Sequence, residues 1–197
     1  MVLPLLGTYQ YHNAAVVLDT VDALIHRGIS IPEHAIYVGL KNVVWPSRFE
    51  VLNRHPLFLL DSAHNPNGTE ELVNCLRQYL PDKKLIFVVG VLADKDYQNM
   101  TAQLAPYAKQ FVAVTPKKHR SLGSSVLKKA IQSCVYGAGA GRRRREKRPC
   151  LRHGPSRIRG CFVCFWLIVS GGRNPSALCE IPVNPNWHRP GLRLSIK

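Results

Sequence analysis

Residues 84–92, Lys-Leu-Ile-Phe-Val-Val-Gly-Val-Leu, form an apolar run with no polar alternation. A strand with one wet face alternates apolar and polar residues, whereas a strand covered on both faces does not. The run therefore reads as a central parallel strand with cover above and below. Its neighbours supply that cover. "TEELVNCLRQYL" before it and "YQNMTAQLAPYA" after it space their apolar residues as helices, the second as far as about Pro106. "QFVAVT" reads as a further strand and "SSVLKKAIQSC" as a further amphipathic helix. Upstream, "RFEVL" and "LFLLD" read as strands joined through "NRHP", a hairpin. Strands alternating with helices argue for an α/β layer with a mostly parallel sheet.

Two helices are expected before the hairpin. Ala14, Val17, Leu18, Val21, Leu24 and Ile25 recur at helical spacing, and Gly28 is placed to stop that helix. In "SIPEHAIYVGL", Ser30 and Glu33 have capping-box spacing, with Pro32 early in the helix.

In an open α/β sheet ligands bind beyond the carboxyl ends of the strands. Asp61, Asp94 and Thr115 each follow such an end, so three polar positions converge on one edge. The helix from about Asn67 or Thr69 points its N-terminus there, which favours an anion. Asn67-Gly68 supplies a tight turn and Thr69 a cap. Two readings of "DSAHNPNG" (61–68) stay open on spacing alone. In one, Asp61, Asn65 and Asn67 cap a helix and His64 is a surface residue. In the other they line a binding site.

Five segments carry more information together than apart: "GTYQYHNAA" (7–15), "WPSRFEVL" (45–52), "LLDSAHNPNG" (59–68), "VVGVLADKDYQNM" (88–100) and "VTPKKHRSL" (114–122). In order and spacing they resemble the carboxy-terminal portion of folylpolyglutamate synthase/dihydrofolate synthase, members of the Mur ligase group. The resemblance implies a Rossmann-like Mur ligase C-terminal domain, incomplete at its C-terminal edge. It also implies an ATP- and Mg²⁺-dependent ligase that adds L-glutamate to folate or dihydropteroate through an acyl phosphate. Asn13, Arg48 and Asp61 would then serve the nucleotide, with Arg48 reaching its phosphates. His64 would lie at the reacting centre, and Lys95 belongs to the "DKD" element with its role open. The residue types suit that chemistry. Arginine is a fixed cationic fork for phosphate oxygens, aspartate accepts from nucleotide hydroxyls, and histidine moves protons near neutral pH. Tyr9 departs from the family, which has His before Gln10.

The resemblance divides the chain into three: 1–30, the end of a central ATPase domain or linker helix; 31–136, the ligase domain; and 137–197, a basic tail. No G-x-x-x-x-G-K-[ST] loop occurs, and "GAGAG" (137–141) does not replace it. The chain is thus expected to carry one wall of an interdomain site, to lack the Mg²⁺ ligands and to be inactive alone. The intact enzyme is expected to be monomeric and cytoplasmic. "MVLPLLGTYQ" lacks a basic n-region, and "CFVCFWLIV" (161–169) is too short to span a bilayer.

Charge sets the tail apart. Residues 1–136 hold 14 Lys+Arg and 10 Asp+Glu, while 137–197 hold 13 and 2. Three readings compete for it. A nucleic-acid-binding extension would use the Arg run at 142–145 and nearby aromatics, and is the alternative function. A zinc module would use the Cys161–Cys164 pair, but Cys150 and Cys179 stand apart from it. The leading reading is a shifted reading frame beginning between about Ser133 and Arg142, leaving a poorly ordered tail. Read from the second base, the codons of 162–172 permit the family's terminal "FGSLYLVG" pattern, with its glycine forced by Trp166. CGN arginine codons shifted likewise encode Ala, Val, Asp or Gly, as in the family's alanine-rich last helix. Loss of that helix and strand would leave a sheet edge and apolar helix faces uncovered, and a marginally stable product.

Overall fold

The computed structural model describes residues 2–54, 57–116, 119–136, 150–153 and 165–170. Helices α1 (Tyr9–His26) and α2 (Glu33–Lys41) precede a hairpin of β1 (Glu50–Arg54) and β2 (Leu57–Asp61). Then come α3 (Pro66–Tyr79), β3 (Leu85–Gly90), α4 (Tyr97–Leu104), β4 (Ala108–Ala113) and α5 (Ser124–Tyr136). A 3-10 turn at Ala105–Tyr107 leads from α4 into β4, where Pro106 ends the helical run. Two short strands follow, β5 (Cys150–His153) and β6 (Phe165–Ser170).

One sheet runs in the order β1-β2-β6-β3-β4-β5. β3, β4 and β5 pair in parallel, while β6 is antiparallel to both β2 and β3, and β1 is antiparallel to β2. It follows that β2, β3, β4 and β5 all point one way, with β1 and β6 reversed. The carboxyl ends of β2, β3 and β4 therefore share one edge of the sheet, as expected for α/β architecture.

Helices α3, α4 and α5 stand side by side, α4 touching both neighbours. Right-handed crossovers put them on one face. There Leu72, Leu76, Met100, Leu104, Leu127 and Ile131 close over Leu59, Leu85, Phe87, Val89 and Phe111. Every residue of β3 is buried, as its unbroken apolar run requires. Phe87 lies opposite Phe111 in the β3–β4 register, and their rings stack with centroids 5.5 Å apart. Full burial of each such ring is worth about 2–3 kcal/mol. Ile86, Val88 and Val112, on the alternate face, are buried outside that cluster.

Three boundaries differ from expectation. α2 begins at Glu33 behind an extended Pro32 (ψ 144), not at a Ser30 capping box. Proline's ring keeps the preceding Ile31 out of the helical region, so the helix starts only after it. α3 begins at Pro66 with Asn65 as its cap, and Thr69 lies within the helix. The tail also enters the sheet at ten residues: β6 fills the gap between β2 and β3, and β5 extends the far edge beyond β4. β6 comes from the apolar stretch too short for a membrane span, the same stretch whose shifted codons permit the family's terminal pattern; its length of six residues suits a strand. The Arg run, Cys161, Cys164 and Cys179, and the expected frame change lie outside the described residues.

α1 runs to His26 and Gly28 ends it with φ 89, a conformation glycine adopts without a Cβ penalty. Its apolar face is only partly covered: Leu18, Val21 and Leu24 are half-buried, and Val17 and Ile25 are exposed. Only Gln10 and Ala14 are buried along the helix.

Candidate functional site

The site begins with the turn before β1. Trp45-Pro46-Ser47-Arg48-Phe49 enters the strand through two residues in the left-handed region, Ser47 (φ 64) and Phe49 (φ 48). Neither is glycine, and each such residue costs about 1–2 kcal/mol. The surroundings hold it. Ser47 N–H donates to Glu50 Oε2 at 2.7 Å, and Phe49 N–H donates to Asp61 Oδ2 at 2.9 Å. Ser62 N–H donates to the Ser47 carbonyl at 2.9 Å. Phe49 itself is 2 % exposed and its ring packs against Tyr79 at 5.7 Å. The burial of Phe49 and the bonds on either side fix the backbone at Arg48.

Asp61 ends β2 and is buried. Its second oxygen, Oδ1, accepts from Ala63 N–H at 2.7 Å. Burial pushes its carboxyl above the ordinary value of 3.8, while the amides of Ala63 and Phe49 and the nearby Arg48 charge pull it down. Burial wins over the two donors. Tyr9 lies close enough for Asp61 to act on it. Its hydroxyl is raised to about 12, mainly by burial and then by the Asp61 charge. The Cys75 thiol is also raised to about 12 by burial, with Asp61 and Glu71 adding to it, so it is not a reactive thiolate.

α3 starts at Pro66, five residues after β2 ends at Asp61. Asn65 is extended (φ -147, ψ 167) and its Oδ1 accepts from Gly68 N–H at 2.7 Å, with Pro66 in the first turn. Proline at that position loses no helical bond, since the first amides have no helical partner. Gly68 matters here. A Cβ there would sit 3.1 Å from Asn65 Oδ1, so the cap bond depends on a bare α-carbon.

Above these elements opens a cavity of about 470 Å³ lined by Arg48, Ala63, His64, Asn65, Asn67, Gly68, Glu70 and Glu71. Arg48 is half-buried and His64 exposed, its Nδ1 3.1 Å from the Ser62 carbonyl. A guanidinium, an imidazole and a helix N-terminus thus face one open space, while Glu70 and Glu71 add carboxylates to the same wall. Such a set binds a phosphate or carboxylate at the helix end and leaves an imidazole beside it.

The sequence-predicted residues separate into two groups. Arg48 and His64 line the cavity, and Asp61 anchors the backbone beneath both without lining it. Asn13 and Lys95 lie apart from it. Asn13 is exposed on α1 and its Nδ2 donates to Gln10 Oε1 at 2.9 Å. Lys95 Nζ is 3.5 Å from Asp94, which Arg120 also approaches at 3.5 Å. Thr115 accepts from Ser124 N–H at 2.9 Å, capping α5. Glu50 escaped the sequence reading. It stands two residues after Arg48 inside "WPSRFEVL", but nothing in a sequence says that its side chain turns back onto Ser47. Among the described residues no group of three His, Cys, Asp or Glu could hold a metal ion. Nor is any described helix long and apolar enough to cross a membrane.

A family model described as "Mur ligase, glutamate ligase domain" matches residues 47–149. The dihydrofolate synthase/folylpolyglutamate synthase of Bacillus subtilis is 36 % identical over 105 residues, 53 % of this chain and 24 % of that protein. The corresponding protein of Mycobacterium tuberculosis is 32 % identical over 159 residues, 80 % of this chain and 29 % of that one. Among solved structures, Mycobacterium tuberculosis folylpolyglutamate synthase complexed with ADP matches with a TM-score of 0.64 at 28 % identity, covering 79 % of this chain and 32 % of that one. Folylpolyglutamate synthase from Thermotoga maritima matches with a TM-score of 0.55 at 26 % identity, covering 77 % and 37 %. The chain spans roughly a quarter to a third of the relatives it matches.

Proposed function

The chain belongs to the Mur ligase family through its glutamate ligase domain, and from that premise we propose that it forms the nucleotide- and amino-acid-facing wall of an ATP-dependent folate–glutamate ligase. The observation that carries this reading is the convergence of Arg48, His64 and the N-terminus of α3 on one cavity at the carboxyl edge of the sheet. The relatives named as folylpolyglutamate and dihydrofolate synthases, one of them solved with ADP, support this substrate class.

In this reading Arg48 neutralises phosphate oxygens of ATP, an interaction that grows as charge develops in phosphoryl transfer. The Asn67 amide in the first turn of α3 adds a donor for the same anion, Pro66 having none and the Gly68 amide being held by Asn65. His64 lies beside that anion and has a ring nitrogen, Nε2, free of the Ser62 carbonyl contact made by Nδ1. It orients the incoming glutamate amine and takes its proton as the amide forms. Asp61 keeps the two segments together. The wider ligase, not this wall alone, carries the pterin contacts and the metal, so the choice between folate and dihydropteroate lies with the whole enzyme.

ADP titrated into the chain tests the reading, followed by the amide signals of residues 47–49 and 63–68. Saturable shifts confined to those residues, weakened at least tenfold in Arg48→Gln, are expected; a lost charge-assisted phosphate contact is worth about 1.5–3 kcal/mol. Absence of saturable ADP binding, or equal binding by Arg48→Gln, overturns it.

A further inference from the structure

We propose that Glu50 is a positioning residue that works with Asp61 to hold Arg48 in its anion-facing geometry; the functional part of this claim rests on the role given to Arg48 above. Arg48 is flanked on both sides by left-handed, non-glycine residues, Ser47 at φ 64 and Phe49 at φ 48. The amide before it is held by Glu50 Oε2 at 2.7 Å and the amide after it by Asp61 Oδ2 at 2.9 Å. The carbonyl of Ser47 is taken by Ser62 N–H at 2.9 Å. Two carboxylates, one from the start of β1 and one from the end of β2, thus bracket a single arginine through its neighbours' amides. Neither forms a close ion pair with the guanidinium, whose charge reaches Asp61 only at longer range: among the described residues no ion pair within 4.0 Å involves Arg48. The arrangement fixes the backbone and leaves the cation for a ligand.

The bracket also sets a spacing. Asp61 Oδ1 holds Ala63 N–H at 2.7 Å, next to His64. One carboxylate therefore ties the Arg48 turn to the His64 segment, and Glu50 stops that turn from relaxing on its other side. Charged acceptors suit the task, because a carboxylate bonds an amide about twice as strongly as a neutral acceptor does. Glutamine at position 50 keeps an acceptor oxygen and the length of the side chain, whereas alanine removes both.

The test uses the whole chain and two readouts. Amide hydrogen exchange at Ser47, with ¹⁵N relaxation at Arg48, reports the bracket directly. ADP affinity reports its consequence. Glu50→Ala is expected to speed exchange at Ser47 about tenfold and to loosen the Arg48 amide, leaving the Val89 and Phe111 amides unchanged. It is expected to weaken ADP about tenfold, with Glu50→Gln recovering most of both effects. In the Arg48→Gln background Glu50→Ala should cost nothing further, since the two act as one unit. Unchanged exchange and relaxation in Glu50→Ala overturn the bracket. A full, additive loss of ADP affinity in the absence of Arg48 shows that Glu50 acts elsewhere and overturns the positioning role. If the unaltered chain fails to bind ADP, the function proposed for Arg48 falls, and exchange and relaxation still decide whether Glu50 holds the turn.

Discussion

At the scale of single residues the chain is most constrained where its first segment meets α3. Gly7 has φ 102, and a Cβ there would lie 2.6 Å from the Tyr9 ring and 2.8 Å from Cys75 Sγ. Its amide donates to the Tyr79 hydroxyl at 3.2 Å. Gly7→Ala meets both a strained backbone and two occupied contacts, so a loss of about 2 kcal/mol or more is expected in urea unfolding. Asp61 gives a pH-dependent expectation. Its carboxyl is raised in the fold, chiefly by burial, above the ordinary 3.8. The folded chain then holds that proton more tightly than the unfolded chain does. The resulting stabilisation is full below the unfolded value and is lost as pH rises through the folded one. Urea midpoints measured in steps upward from the ordinary aspartate value should fall with pH in the unaltered chain and fall less in Asp61→Asn. A parallel pH dependence in both would assign the slope to other groups. The sequence pointed to Arg48, Asp61 and His64 through the family resemblance of "WPSRFEVL" and "LLDSAHNPNG"; their residue types suit charge and proton chemistry but do not single them out. It hid Glu50, since a carboxylate two residues from an arginine reads first as its ion-pair partner, and only the positive φ of Ser47 and Phe49 turns it toward an amide.

At the scale of elements the start of α3 joins stability to binding. The side chain of Asn65 satisfies one orphan amide, that of Gly68, and Asn67, the next residue back along the first turn, lines the cavity. Asn65→Ala should cost about 1 kcal/mol, and Asn65→Asp or Asn65→Ser should retain most of it, as read by urea unfolding. The same helix shows why local sequence rules place elements better than their ends. Thr69, Asn67 and Asn65 are all good caps, and spacing alone cannot rank them. The structure ranks them through Pro66, whose fixed φ suits the first helical turn and makes the residue before it the cap. Ser30 illustrates the converse, a capping pair overridden by Pro32 between its members. Strand β3 was plain from its unbroken apolar run, and the β1–β2 hairpin from its two apolar segments and turn. β6 was not, because five apolar residues and a serine at the end of a basic stretch carry no sign of which two strands they will separate.

At the scale of the whole molecule the two ends of the described chain behave differently. The core cluster runs from Phe49 to Ile131, whereas ten of the thirteen exposed large apolar side chains among the described residues fall within residues 2–45. Val17 of α1 is 48 % exposed and Val44, just before the Arg48 turn, 82 % exposed. The periodicity that marks α1 as a helix is real, but its apolar face is only partly covered: Ala14 is buried, Leu18, Val21 and Leu24 are half-buried, and Val17 and Ile25 are exposed. Periodicity tells which side of a helix wants cover and not what supplies it, so this part of the architecture was legible only as a demand. Uncovered apolar surface of this kind drives association. The chain alone is therefore expected to sediment with a concentration-dependent average mass. Val17→Lys with Val44→Lys should shift it toward the monomer without moving the urea midpoint, because neither side chain is in the core. An unaltered chain that stays monomeric across a hundredfold range of concentration would show that this face has found cover within the chain itself. Association relieved equally by substitutions at the far edge, beyond β4, would instead place the sticky surface at the sheet rather than on the helices.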